Sequence, residues 1–556
     1  MIMDRRLPHF RAFAVAAAFS ATALTAQPAA DADRQEVRLP DENCVAGTGA
    51  NAAADEASPV LIEGLGHAGI EPDSDDAEAR AWFAQGVRLV WAFDEAEAVR
   101  AFRQAQNIDP NCAMCFFGEA WARSTTINLR PRTDQLEAAR TAARRATDLA
   151  EGLSERDRIL VRAMEIRTAD GETFDQPRYA AFLENAALRL PDDSTIAILA
   201  ADARMQVSEE MEPGSLSQRL LERVLAREPE HGGAIHFYIH LTDWVDRQHL
   251  AIPYAERLGR IAPAASHLVH MPSHSYFGVG RYRDAAAANV AAIAADRSYE
   301  ARVRPPASDY RRYLLRHNMQ FAIVSALGRG DAATALSVSE QYRAAFLGDG
   351  AETVSRLLGS AVYYTAGLHA EPGAIANAAQ PEDPLEKLFH HYARGEAAAR
   401  QGEAAGVASA ARAVAALREG VDAPSLGRRG DQLAAIVEAV LAGRSAMLAG
   451  RHPEAAAAYR RAMQAQLEAD FGSDPPLFWY NVRRSLAAAL LAEGDADGAR
   501  NQLFASLRRW PNDPLALYAL SLAERRLGDR ASAERNLARA QAGWAGDVTQ
   551  VPLTRI

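Results

Sequence analysis

From Ala79 onward, apolar residues recur every three or four positions while polar residues fill the opposite face, the pattern of amphipathic helices packed on a shared core. Trp82, Gly86, Leu89, Ala98, Phe102 and Ala105 keep this spacing up to Pro110, where a proline closes the second of two helical runs. The pattern then returns. Gly280, Tyr282 and Ala285 mark a turn and a second helix, and Gly330 and Ala335 mark another. Near the end of the chain the order repeats as Gly450, Ala455, Tyr459 and Ala462, as Gly494, Ala499, Phe504 and Pro511, and as Gly528, Ala533 and Ala540. Between about 350 and 430 it fades into alanine- and arginine-rich helix. Residues 27–75 carry no periodicity and are rich in Ala, Asp and Pro, which predicts a flexible or loosely docked arm. Gly64-Leu-Gly-His-Ala-Gly69 spells G-x-G-x-x-G within it, yet no strand precedes it and no clear helix opens on its last glycine, so it reads as a loop.

These offsets resemble the tetratricopeptide signature, in which a pair of antiparallel helices occupies about 34 residues. The large aromatic fills the groove between paired helices, and small Gly and Ala allow close approach. The expected fold is therefore all-α, a tetratricopeptide-repeat superhelical solenoid of antiparallel helix pairs. At 556 residues the chain is too long for one compact core, and a repeat array accommodates that length. The organisation reads as a signal peptide at 1–26, the arm at 27–75, an N-terminal repeat lobe at 76–345, a degenerate helical region at 346–430 and a C-terminal lobe at 431–545.

Charge and leader narrow the function. The formal net charge of -11, with no Lys/Arg-rich run, argues against nucleic acid as a partner. Lys387 is the only lysine, which removes Schiff-base and P-loop chemistry. Arg5, Arg6 and Arg11, the apolar stretch from Ala12 to Leu24, and the small residues ending at Ala26 have the order of a secretory signal. The mature chain is expected outside the cytoplasm, periplasmic or secreted, with no membrane span after signal removal. Cys44, Cys112 and Cys115 then face a compartment that permits disulfides. For the C-x-x-C pair, small buried residues at a helix start is the preferred reading over a redox or metal role.

The histidines supply the chemistry. Of 14 in the chain, eight lie between residues 231 and 317. His236 and His240 are four apart, as are His270 and His274, so each pair shares one helix face. The two pairs are 34 residues apart, one repeat, which sets them side by side on neighbouring first helices. His267 sits one turn before His270, and His317 lies near the start of the next first helix. Neutral imidazole is the commonest ligand for zinc, copper, iron and nickel, so these six residues are the candidate metal ligands. An exported location and nearby Met271 favour copper over zinc or iron. His236-Phe-Tyr-Ile-His240 is not a zincin motif, because Phe237 stands where the catalytic Glu would be. Pro272 is expected to start or kink its helix. His231 and His249 are out of phase with the pairs.

Tyr238, Trp244, Tyr276, Asn318 and Asn128 are candidate groove residues, with a loop-capping role as the alternative for Asn128. The segments 234–240, 267–274 and 316–318, with Asp109-Pro-Asn-Cys-Ala-Met114 and Ile127-Asn-Leu129, resemble a group of long bacterial exported tetratricopeptide-repeat proteins, mostly uncharacterised. The likeness runs from about Gly64 to Gly330, and Cys115 and Arg130-Pro131 depart from it. It implies that the histidines are a family feature and supplies no reaction. Three functions stay open: a metal-binding solenoid with a peptide or protein ligand in its concave groove, a metal-dependent oxidase or oxygenase, and a metal-free interaction scaffold. No G-x-S-x-G elbow or comparable nucleophile motif offers a different catalytic set.

Overall fold

The structure, a computed structural model, describes residues 59–124, 126–128, 133–169, 171–207, 212–305, 309–421, 423–469 and 474–556. The expected signal segment, most of the arm, Cys44, Leu129 and Arg130-Pro131 lie outside the described residues. Among the described residues every regular element is helical. The fold is an all-α tetratricopeptide-type solenoid of antiparallel helix pairs. Pairing begins with Ala77–Trp91 against Glu95–Ile108, then Ala113–Ala122 against Thr133–Asp148 and Glu155–Arg167 against Gln176–Arg189. Ser194–Val207 pairs with Leu216–Arg227, and Gly232–Trp244 with Ile252–Ile261. The next first helix runs Ser266–His270 and Pro272–Gly278, interrupted at Met271, and packs on Tyr282–Val303. Asp309–Gly328 and Ala332–Phe346 follow. Toward the C-terminus come Pro384–Arg400 with Ala404–Glu419, Ala423–Leu448 with His452–Ala469, Arg483–Glu493 with Ala496–Arg509, and Pro514–Arg526 with Arg530–Gly543.

Local sequence explains the hairpins. Second helices open on an aspartate whose carboxylate accepts a backbone N–H inside the first turn: Asp94 from Glu97, Asp331 from Thr334, Asp495 from Gly498 and Asp529 from Ser532. Neighbouring pairs then interlock through large-into-small contacts. The fully buried Phe102 ring lies against Gly86 of its own pair and Gly118 of the next. A Cβ on Gly86 would stand 2.7 Å from that ring, and one on Gly118 would collide with it. This is the packing role that the signature assigns to Gly86, Ala98, Phe102 and Ala105. Phe504 does not share it, being 45% exposed.

Residues 59–75 of the arm are docked: Ile62, Leu65 and Ile70 are buried, Gln85 bonds both Val60 and Ile62 backbone groups, and Trp91 Nε1 donates to the Ala68 carbonyl. Asp73 accepts from the N–H groups of Ala113 and Met114, capping the Ala113 helix. Residues 59–75 show no periodicity because they pack through single residues rather than along a regular element. Beside a small cluster of Leu136, Ala139 and Phe174, the described residues form two large apolar cores. One gathers residues from Ile62 to Met271 together with Tyr299, and the other runs from Tyr276 to Ile556, taking in 346–430 through Tyr364, Phe389 and Tyr392. The seam between them falls in the histidine-bearing first helix. Cys112 and Cys115 form a disulfide at the start of the Ala113 helix. Among the described residues no helix is long and apolar enough to cross a membrane.

The C-terminal pairs return to this seam. Asn512 donates to the Val279 carbonyl at 2.8 Å, Trp510 meets Phe277 edge-on at 5.7 Å, and any side chain at Gly280 would strike the Pro511 carbonyl. Gly280 also sits at φ 76°, so two constraints require glycine there.

Because Gly118 has no room beside Phe102, Gly118→Ala should destabilise the chain by about 1–3 kcal/mol through overpacking. Chemical denaturation of the purified variant checks this.

Candidate metal centre

The first-helix register brings the six candidate histidines together and buries them, with exposures of 0–5%. Their ligand atoms sort into two sets, His236 with His240 and His267, and His270 with His274 and His317, each set lying within 4.8 Å. In the first, His236 Nε2 stands 3.1 Å from His240 Nε2 and 3.0 Å from His267 Nε2. In the second, the Nε2 atoms of His270 and His274 are 2.9 Å apart, and the His317 ring centroid lies 4.8 Å from that of His270. The sets adjoin: the His240 and His274 centroids are 6.1 Å apart, and those of His267 and His270 5.9 Å.

Groups behind the rings fix which nitrogen faces inward. His236 Nδ1 donates to the Trp91 carbonyl at 2.6 Å. His270 Nδ1 donates to Asn289 Oδ1 at 2.6 Å, the amide being held by its own donation to the Ala285 carbonyl. His274 Nδ1 lies 2.7 Å from Asp474 and 3.7 Å from Asp243. A proton committed at Nδ1 leaves a neutral ring its lone pair at Nε2. At His236 that single lone pair faces two imidazole nitrogens, one more than it can serve well as an acceptor. The crowding is what a shared electrophile at the centre of the set would relieve.

Burial sets the electrostatics. Desolvation pushes His236 and His317 down to about 3, with the positive charge of His274 adding to it. His240, His267 and His270 are held well below the usual value by burial and then by neighbouring imidazoles. Burial opposes charge on His274 too, but Asp243 and Asp474 outweigh it and raise this group to about 10. Five rings are thus kept neutral, the state a metal requires.

Phe93 forms part of the wall. Its buried ring lies 4.2 Å from His236, 5.4 Å from His267 and 6.0 Å from His240, centroid to centroid. Its backbone is left-handed, φ 57°. In later pairs the residue before the aspartate cap is Gly330, Gly494 or Gly528, all at positive φ. Phe93 precedes Asp94 in the same place, so a phenylalanine fills the turn glycine's position at a cost of about 1–2 kcal/mol. Strain of this kind persists where the surroundings fix it and the site uses the side chain.

The remaining candidates divide. Asn318 is fully buried, with Nδ2 3.4 Å from Ser266 Oγ and its Oδ1 without a hydrogen-bond partner. Trp244 is half-buried, 6.1 Å from the His240 ring. Tyr238 turns away to donate to Glu222, and Tyr276 lies under Arg281. Asn128 is buried in the loop after the Ala113 helix, its N–H donating to Thr126. Met271 is buried in the N-terminal core. His231 caps the Gly232 helix through Nδ1, consistent with its phase. Beside Asp243 and Asp474 lies a cleft of about 30 Å³, lined also by Gln248 and Trp510 among others. A wider cleft of about 530 Å³ lies in the C-terminal half, floored by alanines such as Ala411 and Ala442 and rimmed by Arg412, Arg451 and Glu454.

Sequence reasoning missed Trp91, Phe93, Asn289, Asp243 and Asp474. A signal existed for Phe93, whose Phe-Asp stands where the later units read Gly-Asp. Asp474 is 200 residues from His274 and carried none.

Two outcomes follow. Phe93→Gly relieves the turn whereas Phe93→Ala does not, so the glycine variant should be more stable by about 1–2 kcal/mol, reversing the usual order of these residues. Paired denaturant melts decide it. In metal-free protein, His274 is raised above its ordinary value of about 6.5, so its pairing stabilises fully below that pH and is lost as pH rises toward about 10. The gap in melting temperature between wild type and Asp474→Asn should therefore be widest near pH 6 and close toward pH 10.

No family model matches the chain, and no curated protein matches it. Among solved structures the chain is similar to Naa15/Naa10 bound to HypK-THB, at 14% identity over 86% of this chain and 90% of that one, TM-score 0.22. It is similar also to a human IFIT1 dimer with m7Gppp-AAAA, at 12% identity over 84% and 95%, TM-score 0.30. The TPR domain of P58(IPK) aligns at 14% identity over 81% and 99%, TM-score 0.24. At these TM-scores the likenesses carry no argument about site or ligand.

Proposed function

We propose that this chain is an exported solenoid protein that binds a transition metal, copper before zinc or iron, through His236, His240, His267, His270, His274 and His317. The observation that carries the reading is the convergence of six buried imidazoles, three of which, His236, His270 and His274, are aimed from behind by Trp91, Asn289 and Asp474. Metal-ligating histidines are held in this way through their other nitrogen. Nitrogen-only sets suit copper, zinc, iron and nickel, and among divalent ions copper binds such donors most tightly. An oxidase or oxygenase activity is the catalytic form of the same reading, since three imidazoles leave a four-coordinate ion one position for a small substrate. The cleft beside His274 has room for about one water, so a peptide ligand would use the wider C-terminal cleft.

One observation favours a metal-free scaffold instead. His274 can remain an imidazolium, donating to Asp474 at Nδ1 and to His270 at Nε2, with no ion present. The alternatives separate on metal content of the protein purified from its native compartment, alongside His240→Ala/His274→Ala. A stoichiometric transition metal, at least tenfold depleted in the folded double variant, is expected. No metal in wild type, even after reconstitution with copper, zinc or iron, would leave the scaffold.

A further inference from the structure

We propose that the cluster is a dinuclear centre holding two ions, one in each trihistidine set, a reading that rests on the metal-binding function above. The two sets follow one recipe. Each takes an H-x-x-x-H pair from one first helix and a single histidine from the next first helix. His236 and His240 on Gly232–Trp244 are joined by His267 at the start of the following helix. His270 and His274 on that helix are joined by His317 on Asp309–Gly328. The middle unit therefore contributes both the pair for its own set and the third ligand for the set before, while the units on either side contribute a pair and a single histidine.

Geometry supports three ligands per ion rather than six around one. Ligand nitrogens about 2.0–2.1 Å from a tetrahedral ion stand about 3.3 Å from one another. Three of the six separations within the sets, at 3.1, 3.0 and 2.9 Å, are already near this, and the remaining ligand atoms lie within 4.8 Å of one another, so ring movements of about an ångström would complete either set. Each set also has its own anchor behind a ring, the Trp91 carbonyl for His236 and Asn289 for His270, so neither depends on the other for its inward nitrogen. The sets share a wall, with His240 facing His274 and His267 facing His270 at about ring-contact distance. Two three-coordinate ions this close each keep an open position, and a water, hydroxide or other ligand of one or two heavy atoms is the class that fits between them. The environments differ. Among the described residues, Asp243 and Asp474 stand at His274 in the second set, and Phe93 lies against all three rings of the first.

Titration of the metal-free protein with Co(II), followed by its visible bands, counts the sites directly. Wild type should reach its end point at two equivalents. His240→Asn and His317→Asn, one per set and each checked for retained helicity by circular dichroism, should end at one. A wild-type end point at one equivalent would overturn the dinuclear centre and leave the metal-binding function standing, whereas no binding of Co(II), copper or zinc would overturn both. Folded single variants that still take up two equivalents would overturn the division of ligands. Wild type loaded with two Cu(II) gives a check free of substitutions: the ions should broaden or cancel each other's paramagnetic resonance, and two isolated-copper spectra would count against the shared wall.

Discussion

A helical hairpin leaves an apolar face uncovered on each side, and the whole molecule depends on covering it with the next hairpin. Phe102 shows the constraint in one residue: its ring is buried only because Gly86 and Gly118 on two successive pairs leave room for it. The same stacking that hides phenylalanine rings can bring imidazoles from adjacent first helices into contact. At the seam between the two apolar cores, it does.

Filling that seam with six histidines has a price in polar satisfaction. Buried imidazoles need partners, and here the partners come from distant elements: a carbonyl at Trp91, an amide at Asn289 and a carboxylate at Asp474. The docked segment 59–75 braces Trp91 from outside through its indole. Phe93, forced into a left-handed turn, supplies an apolar wall. These supports are spread over four hundred residues, yet each acts on a ring in the cluster or on the residue that holds one.

How much of this was legible follows from the range of each interaction. The hairpins were, because the three-and-four spacing and the turn glycines are local signals. The histidine register was, because a separation of one repeat places residues side by side without further information. The burial of the cluster was not: a first-helix position reads as groove-lining until the chain that covers it is known, and Asp474, Trp510 and Asn512 come from pairs whose own signatures describe only their internal packing. Which residues of the arm dock was hidden for a related reason. Extended segments that pack by single residues such as Ile62, Leu65 and Ile70 leave no period to detect.

The long separation between His274 and Asp474 also imposes an order in time. A chain emerging from its N-terminus presents all six imidazoles about 150 residues before the carboxylate that anchors His274 exists. The hairpins that pack on Gly280 and Phe277 are made later still, so the C-terminal side of the cluster is the last part of its surroundings to leave the ribosome.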